Sequence, residues 1–184
     1  MTRRGLLGLA LLAAPAAGAA AGEVAEVPDG YRMGDYRAPV PHGVPGGRAI
    51  GTEEARAMRG RPGVVWVDVL PAPRRPEGLP AGSLWRPSPR MGIPGSLWLP
   101  EAGRGALAPE TEAWFRATLA RATGGDPDRP IVFYCLADCW MSWNAAKRAA
   151  AWGYRSVLWY RDGTDGWEEE ALPTEELHPA PGAP

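Results

Sequence analysis

Two cysteines, Cys135 and Cys139, are the residues best suited to chemistry in this 184-residue chain, and they are its only cysteines. Cys135 ends an apolar run, 131–135, that predicts a buried strand, and a helical pattern follows at 142–152. The first N–H groups of a helix lack internal partners, and they stabilise an anion together with the helix dipole. We therefore expect main-chain amides around the Cys135 sulfur to stabilise its thiolate and lower its pKa.

The spacing of the two cysteines limits how they can react with each other. Residues four apart on a helix hold their Cβ atoms about 5–6 Å apart, whereas a disulfide needs about 3.5–4.5 Å. The pair can therefore close only if the loop between them is not helical. We hypothesise that Cys135 attacks and that Cys139 resolves, so that a sulfenic acid or persulfide on Cys135 is captured as a disulfide. A structural disulfide or two inert thiols is the alternative.

The residues between and after the cysteines form the predicted substrate-binding loop: Leu136, Ala137, Asp138, Trp140, Met141 and Ser142. Asp138 could act in two ways. Facing the sulfur, its charge would cost a thiolate about 3 kcal/mol at 5 Å and an effective dielectric near 20, making Cys135 less acidic. Capping the helix, it would compete for the same N–H groups.

Two residues outside the loop are predicted to support the site. Asp68 ends the predicted strand 64–70 and could serve the site from there, or it could cap a neighbouring turn or helix. Trp143, together with Trp140, could line a pocket over the loop, or both could pack between helix and sheet.

The composition excludes several other classes of function. The chain has 20 basic and 21 acidic residues, so no basic excess indicates nucleic-acid binding. Its two histidines, His42 and His178, lie in Pro-rich stretches, and no Cys-x-x-Cys-His motif for covalent haem occurs. The sequence therefore predicts neither a metal site nor a bound cofactor.

The N-terminus predicts an export signal over residues 1–21. Arg3 and Arg4 form a positive start, an apolar stretch follows, and small residues up to Ala21 offer cleavage sites. A membrane anchor is the alternative, but the apolar stretch is short and breaks at Pro15. The arginine pair also resembles a twin-arginine signal, so the Sec and twin-arginine routes both stay open. We expect a periplasmic protein with no membrane span after cleavage.

Elements alternate along the rest of the chain. Continuous apolar strands alternating with helices predict an α/β domain with a central, mostly parallel sheet flanked by helices. We expect an extended N-terminal segment over 22–51, a domain over 52–173 and a disordered tail over 174–184. Predicted helices span 52–58, 109–122 and 142–152, with a short helical turn opening at Trp167, and predicted strands span 64–70, 97–99, 131–135 and 156–160.

Several short motifs carry a resemblance to a known family. The strand ending in Asp68, the segment Ile93-Pro94-Gly95-Ser96, the strand ending in Phe133-Tyr134-Cys135 and the turn Asp162 to Trp167 occur in the order of a rhodanese-like domain. Over about residues 25–175 the chain also resembles exported proteins named for a Cys-x-x-x-Cys-Trp motif and associated with PQQ-dependent alcohol catabolism.

The resemblance implies a rhodanese-like fold with Cys135 in the persulfide-forming position. Trp140 and Met141 stand where that family often has Arg or Lys and then Ser or Thr. The implied function is sulfur transfer or thiol–disulfide chemistry, with a small sulfur donor or a thiol protein as partner. A PQQ-dependent dehydrogenase system or a c-type cytochrome is a further implied partner. The alternative is a non-catalytic module that binds a redox partner or cofactor of that system.

Overall fold

A five-stranded parallel sheet forms the centre of the molecule in the computed structural model, which describes residues 24–184. The predicted export signal lies outside the described residues. The strands, in chain order, are β1 (Arg48–Ile50), β2 (Val65–Asp68), β3 (Arg90–Gly92), β4 (Leu97–Trp98), β5 (Ile131–Tyr134), β6 (Val157–Tyr160) and β7 (Glu175–Leu177). The sheet order is β1-β6-β5-β2-β4, and β3 pairs with β7 in a separate antiparallel ribbon.

Within the described residues, four helices cover the two faces of the sheet: α1 (Thr52–Arg59), α2 (Pro109–Thr123), α3 (Trp140–Ala151) and α4 (Gly163–Glu169). Helix α2 begins with Pro109, whose missing N–H costs nothing at that position, and ends at Gly124 with a left-handed φ of 66°. Alternate residues of β5 point to opposite faces, so Phe133 packs with α2 and α3 while Tyr134 packs with α1 and α4. The predicted α/β architecture is confirmed.

The structure differs from the sequence prediction at both ends of the domain. Strand β1 lies within the segment predicted to be extended and loop-like, and it forms the edge of the main sheet beside β6. Residues 174–184 were predicted to be disordered, yet β7 pairs with β3, and the Ala180 N–H donates to Trp98 O at 2.8 Å. Strands of three residues flanked by Pro and Gly leave little hydrophobic pattern, which explains both differences.

The N-terminal extension is bound along helix α3. Lys147 Nζ donates to the carbonyl oxygens of Pro28, Asp29 and Gly30 at 2.6–3.0 Å. The buried Asn144 side chain accepts from the Arg32 N–H at 2.9 Å and donates to Arg32 O at 2.9 Å. The extension is therefore part of the folded domain.

Within residues 24–184, every helix is too short or too polar to cross a bilayer.

An Asn144→Ala variant tests how the extension is held. Asn144 also donates to Gly103 O at 3.0 Å, so its loss leaves buried main-chain groups unpaired and should destabilise the fold by about 2 kcal/mol. Hydrogen exchange should show lost protection at the Arg32 amide. Thr123→Ala is the matched control, because the buried Thr123 hydroxyl bonds within α2 alone, to Leu119 O and Ala120 O. Equal protection of Arg32 in both variants would contradict the assignment.

Candidate active site at the end of strand β5

A disulfide joins Cys135 and Cys139 at the carboxyl end of β5. Cys135 follows the strand directly, and Cys139 is the N-cap of α3 with extended backbone angles, φ −116° and ψ 110°. The two Cα atoms lie 6.4 Å apart, within the usual range for a disulfide. The loop between them is not helical, which is the condition that the spacing required. Both cysteines are buried, at 0% and 3% exposure.

Two main-chain amides of the loop that was expected to surround the Cys135 sulfur donate to other acceptors. The Ala137 N–H donates to Asp165 Oδ2 at 3.1 Å, and the Trp140 N–H donates to Tyr36 O at 2.9 Å. These two amides of the predicted anion site are therefore already bonded within the chain. Cys135 Sγ lies 3.2 Å from Ser142 Oγ and 3.6 Å from Cys139 O.

Asp138 is exposed and does not cap helix α3. Helix α3 has no side-chain cap, so Asp138 does not compete for its N–H groups. Its side chain is exposed, where water screens its charge, whereas the sulfur of Cys135 is fully buried. Its backbone has a φ of 48°, a conformation that Asp tolerates better than most residues.

The Cys135 main chain is fixed from helix α4 and from the β3–β7 ribbon. The Thr164 N–H and the Thr164 hydroxyl donate to Cys135 O at 3.0 and 3.2 Å, and Arg90 Nη2 lies 3.4 Å from the same oxygen. Gly163 has no space for a side chain, because a Cβ there would lie 2.7 Å from Cys135 O. The main chain of Cys135 is therefore held rigidly through its carbonyl group.

Asp68 combines the two roles that the sequence left open. Its Oδ1 accepts from the Leu70 N–H at 2.8 Å, which stabilises the turn after β2, and its Oδ2 accepts from Arg90 Nε at 2.7 Å. Because Arg90 also lies beside Cys135 O, the Asp68 carboxylate is linked through Arg90 to the main chain of Cys135. Burial raises the pKa of this carboxyl to about 6, although the Arg90 charge opposes that shift.

A model of the rhodanese-like domain family matches residues 51–170. The chain belongs to the rhodanese-like family. No curated protein matches it significantly.

The chain is also similar to several solved structures. The polysulfide-sulfur transferase homodimer from Wolinella succinogenes is 20% identical over 69% of this chain and 77% of its own, with a TM-score of 0.43. An EanB variant in complex with ergothioneine linked to a persulfide is 21% identical over 72% of this chain and 32% of its own, with a TM-score of 0.50. Thiosulfate sulfurtransferase from Pseudomonas aeruginosa is 21% identical over 75% of this chain and 21% of its own, with a TM-score of 0.48. The chain thus spans a third or less of the last two proteins.

The aromatic residues of this rhodanese-like loop hold the N-terminal extension. Trp140 and Trp143 are buried and stack edge to face with centroids 5.2 Å apart. Their indole N–H groups donate to Pro39 O at 3.1 Å and Gly43 O at 3.0 Å. Met141 is also buried and packs against Gly103. These side chains fill the space between α3 and the extension instead of lining a pocket over the loop.

Sequence reasoning missed the residues that cover the site. Residues 36–39, which we call the strap, run antiparallel to the loop with Arg37 paired to Cys139. Arg37 also lies 3.6 Å from the Asp165 carboxylate. These contacts join segments more than 100 residues apart, and nothing in the Pro-rich extension distinguishes them. Arg90 was missed for the same reason, since other arginines lie in the same Pro-rich stretch.

Among residues 24–184, no group of three or more His, Cys, Asp or Glu side chains is placed to hold a metal ion.

Ser142 is the polar side chain best placed to stabilise a Cys135 thiolate after reduction. Its hydroxyl donates to Cys139 O at 3.1 Å and accepts from the Trp159 Nε1–H at 3.0 Å. In the reduced protein the same hydroxyl, 3.2 Å from Sγ, can turn its proton to the thiolate.

A Ser142→Ala variant should therefore raise the pKa of the reduced Cys135 thiol by about one unit, the value of one lost hydrogen bond to a charged group. The pKa is measured from thiolate absorbance against pH in a Cys139→Ser background. Ser96→Ala is the control, because the Ser96 hydroxyl bonds to the Tyr134 hydroxyl instead. An unchanged pKa of the Cys135 thiol in Ser142→Ala would show that the Ser142 hydroxyl does not stabilise the thiolate.

Proposed function

We propose that this rhodanese-like protein is a thiol enzyme that transfers sulfur or electrons at Cys135, with Cys139 as the resolving thiol. The observation that carries the proposal is the disulfide itself, which joins Cys139 to the residue directly after β5. In open α/β sheets ligand sites collect at the carboxyl ends of strands. A disulfide that closes so short a loop constrains the unfolded chain little, so a redox role accounts for it better than a stabilising one.

The proposed sulfur-transfer cycle has three balanced steps. The Cys135 thiolate attacks the outer sulfur of a persulfide donor, R–S–SH, giving a Cys135 persulfide and releasing R–S⁻. The Cys139 thiolate then attacks Cys135 Sγ, which forms the disulfide and releases HS⁻. A dithiol partner reduces that disulfide, supplying two electrons and becoming a disulfide itself.

The rigid carbonyl contacts of Cys135 support the order of attack in this cycle. Three donors contact Cys135 O, whereas the N-cap residue Cys139 has one side-chain donor, Ser142, on its carbonyl oxygen. A fixed nucleophile favours a reproducible attack geometry on a small donor. The Ser142 hydroxyl supplies a hydrogen bond to the Cys135 thiolate, whereas the Ala137 and Trp140 amides donate to other acceptors.

We also propose that the protein acts after export, as a periplasmic protein, and that it serves PQQ-dependent alcohol catabolism. The export proposal rests on residues 1–21, and the link to PQQ rests on the Cys-x-x-x-Cys-Trp resemblance. The partner is a small sulfur donor, or a thiol protein, with a c-type cytochrome or PQQ-dependent dehydrogenase in the same system. Cell fractionation followed by N-terminal sequencing of the protein tests the first proposal: periplasmic protein that starts at Gly22 supports it, and cytoplasmic protein that starts at Met1 contradicts it.

The test of the cycle uses the wild-type chain. The protein is reduced, freed of reductant and mixed with glutathione persulfide. We expect one HS⁻ released per chain, with the Cys135–Cys139 disulfide recovered by peptide mass spectrometry. Two thiols that stay free while no HS⁻ is released would overturn the proposal.

A second candidate function, a non-catalytic binding module, is favoured by the burial of both sulfurs and by the two loop amides already bonded within the chain. Under this reading the disulfide only shapes the loop. A Cys135→Ser variant would then keep its partner, whereas the enzyme would lose turnover. Affinity for a candidate c-type cytochrome, measured beside HS⁻ release, separates the two functions.

A further inference from the structure

The strap contacts the loop as an extended peptide contacts the edge of a sheet. The Ala38 N–H donates to Asp138 O at 3.1 Å, the Trp140 N–H donates to Tyr36 O at 2.9 Å, and Arg37 pairs with Cys139 between them. Main-chain bonds of this kind bind any extended segment and leave specificity to side chains. The loop from Asp138 to Trp140 thus has a usable edge next to a reactive sulfur.

The strap is the outermost layer over Cys139. Arg37 and Pro39 are exposed, whereas Cys139 beneath them is 3% exposed. The chain is anchored on both sides of the strap, by Asn144 at Arg32 and by the buried Val40. Opening is confined to this short segment, but it must break the Trp140 indole bond to Pro39 O and the core packing of Tyr36 and Ala38. It then uncovers Cys139.

The charges around this edge indicate what could replace the strap. Arg37 lies 3.6 Å from Asp165, and its departure removes the cation beside that carboxylate. Asp138 lies exposed at the tip of the same loop. A segment that brings its own basic residue restores the lost ion pair, whereas an acidic segment meets two carboxylates.

We propose that the main-chain edge Asp138 to Trp140 is a docking edge for an extended, basic, cysteine-bearing segment of a partner thiol protein, and that the strap occupies this edge when the partner is absent. The inference rests on the proposed function, since the partner is the dithiol that resets the disulfide. The docked thiolate attacks Cys139 Sγ, forming a mixed disulfide and releasing the Cys135 thiolate. A second partner thiolate attacks the partner sulfur of the mixed disulfide, releasing the Cys139 thiolate, and two electrons have passed to this chain.

The experiment uses the oxidised full chain and a synthetic peptide of residues 33–41 carrying Asp35→Asn, Arg37→Cys and Pro39→Lys, supplied at about 10 mM so that it can compete with the tethered strap. Residue 39 lies on the same face of an extended segment as residue 37, so the peptide is basic on the side of Asp165. The matched control is the same peptide with the main-chain nitrogen of Ala38 methylated, which removes the N–H that would donate to Asp138 O. Mass spectrometry follows mixed-disulfide formation at Cys139 over time. We expect the N–H peptide to react about tenfold faster, as expected for one main-chain hydrogen bond in a sheltered edge. Equal rates for the two peptides would overturn the docking edge.

A second measurement tests the strap as the resident occupant. Arg37→Glu places two acidic groups together and should speed the reaction with the N–H peptide about fivefold, the effect of losing one exposed ion pair. Arg155→Glu is the control, because Arg155 pairs with Asp128 at similar exposure away from the loop. Equal acceleration in both variants, or none in Arg37→Glu, would contradict the strap's role.

Dithiothreitol separates this inference from the function on which it rests. If dithiothreitol reduces the native disulfide and glutathione persulfide restores it, the proposed function stands whatever the peptides do. If dithiothreitol reduces it only after unfolding in urea, the proposed function fails together with the docking edge.

Discussion

A Cys135→Ser variant should take up no sulfur from glutathione persulfide, while a Cys139→Ser variant should take up one sulfur atom and hold it. The first result is expected because Cys135 is the proposed nucleophile, and its carbonyl is held by Thr164 and Arg90. The second is expected because no thiolate remains to attack the persulfide and release HS⁻. Intact-mass spectrometry of the two reduced variants reads out both results directly.

The two cysteine variants control for each other. Both remove the disulfide, so a general loss of structure would affect them equally, and circular dichroism should show the same helix content. Because the two cysteines are only four positions apart in sequence, we expect the loss of the disulfide to change stability little. Sulfur held by Cys135→Ser and absent from Cys139→Ser would reverse the assigned roles.

An Arg90→Gln variant should lose about 3–5 kcal/mol of unfolding free energy, which is the cost of leaving a buried carboxylate without its counter-charge. Arg90 is 9% exposed and Asp68 is fully buried, with Nε and Oδ2 2.7 Å apart. Urea unfolding of the oxidised chain measures the loss. Arg74→Gln is the control, because Arg74 is 77% exposed in its pair with Glu101 and should cost less than about 1 kcal/mol.

The double variant Asp68→Asn, Arg90→Gln separates charge from packing. It removes both charges, so it should recover part of the stability that Arg90→Gln loses. A double variant that is less stable than Arg90→Gln would show that the ion pair contributes through its hydrogen bonds and not through charge compensation.

The stability of the single Arg90→Gln variant should depend on pH in a defined direction. Burial raises the pKa of Asp68 from 3.8 to about 6, so the folded state holds this proton more tightly than the unfolded state does. The group therefore favours folding at low pH, and that contribution is lost as pH rises from about 4 to 6. Arg90 lowers this pKa, so Arg90→Gln moves this loss of stability to higher pH. The substitution should therefore cost less unfolding free energy at pH 5 than at pH 8. An equal cost at both pH values would contradict the titration of Asp68.

The sequence predicted those parts of the fold whose pattern is local. Strands β2, β5 and β6 are continuous apolar runs, and α2 begins at a proline and ends at a glycine, so their types and approximate bounds followed from the residues. Helix α4 begins at Gly163, earlier than the predicted turn at Trp167, because its first residues read as turn formers. Strands β1, β3 and β7 have three residues each, and long-range pairing alone defines them.

The candidate site divides in the same way, into local features that the sequence predicts and long-range contacts that it does not. The position of Cys135, the non-helical loop and the place of Asp68 came from spacing and strand ends. The partners of the loop amides did not, because Asp165 and Tyr36 bond to them from segments far away in sequence. A pattern can show that helix N–H groups are free to bind an anion, but tertiary contacts decide which acceptor takes them.

The continuity of the strap with the rest of the chain makes it a tethered competitor. A segment held on both sides reaches its own binding edge at an effective concentration in the millimolar range. A free peptide at micromolar concentration is therefore outcompeted, whatever its sequence. Only a protein that first attaches elsewhere on this molecule, and so raises the local concentration of its own cysteine, can displace the strap at a useful rate. The selection of the correct partner would then come from a second binding contact and not from the sulfur chemistry.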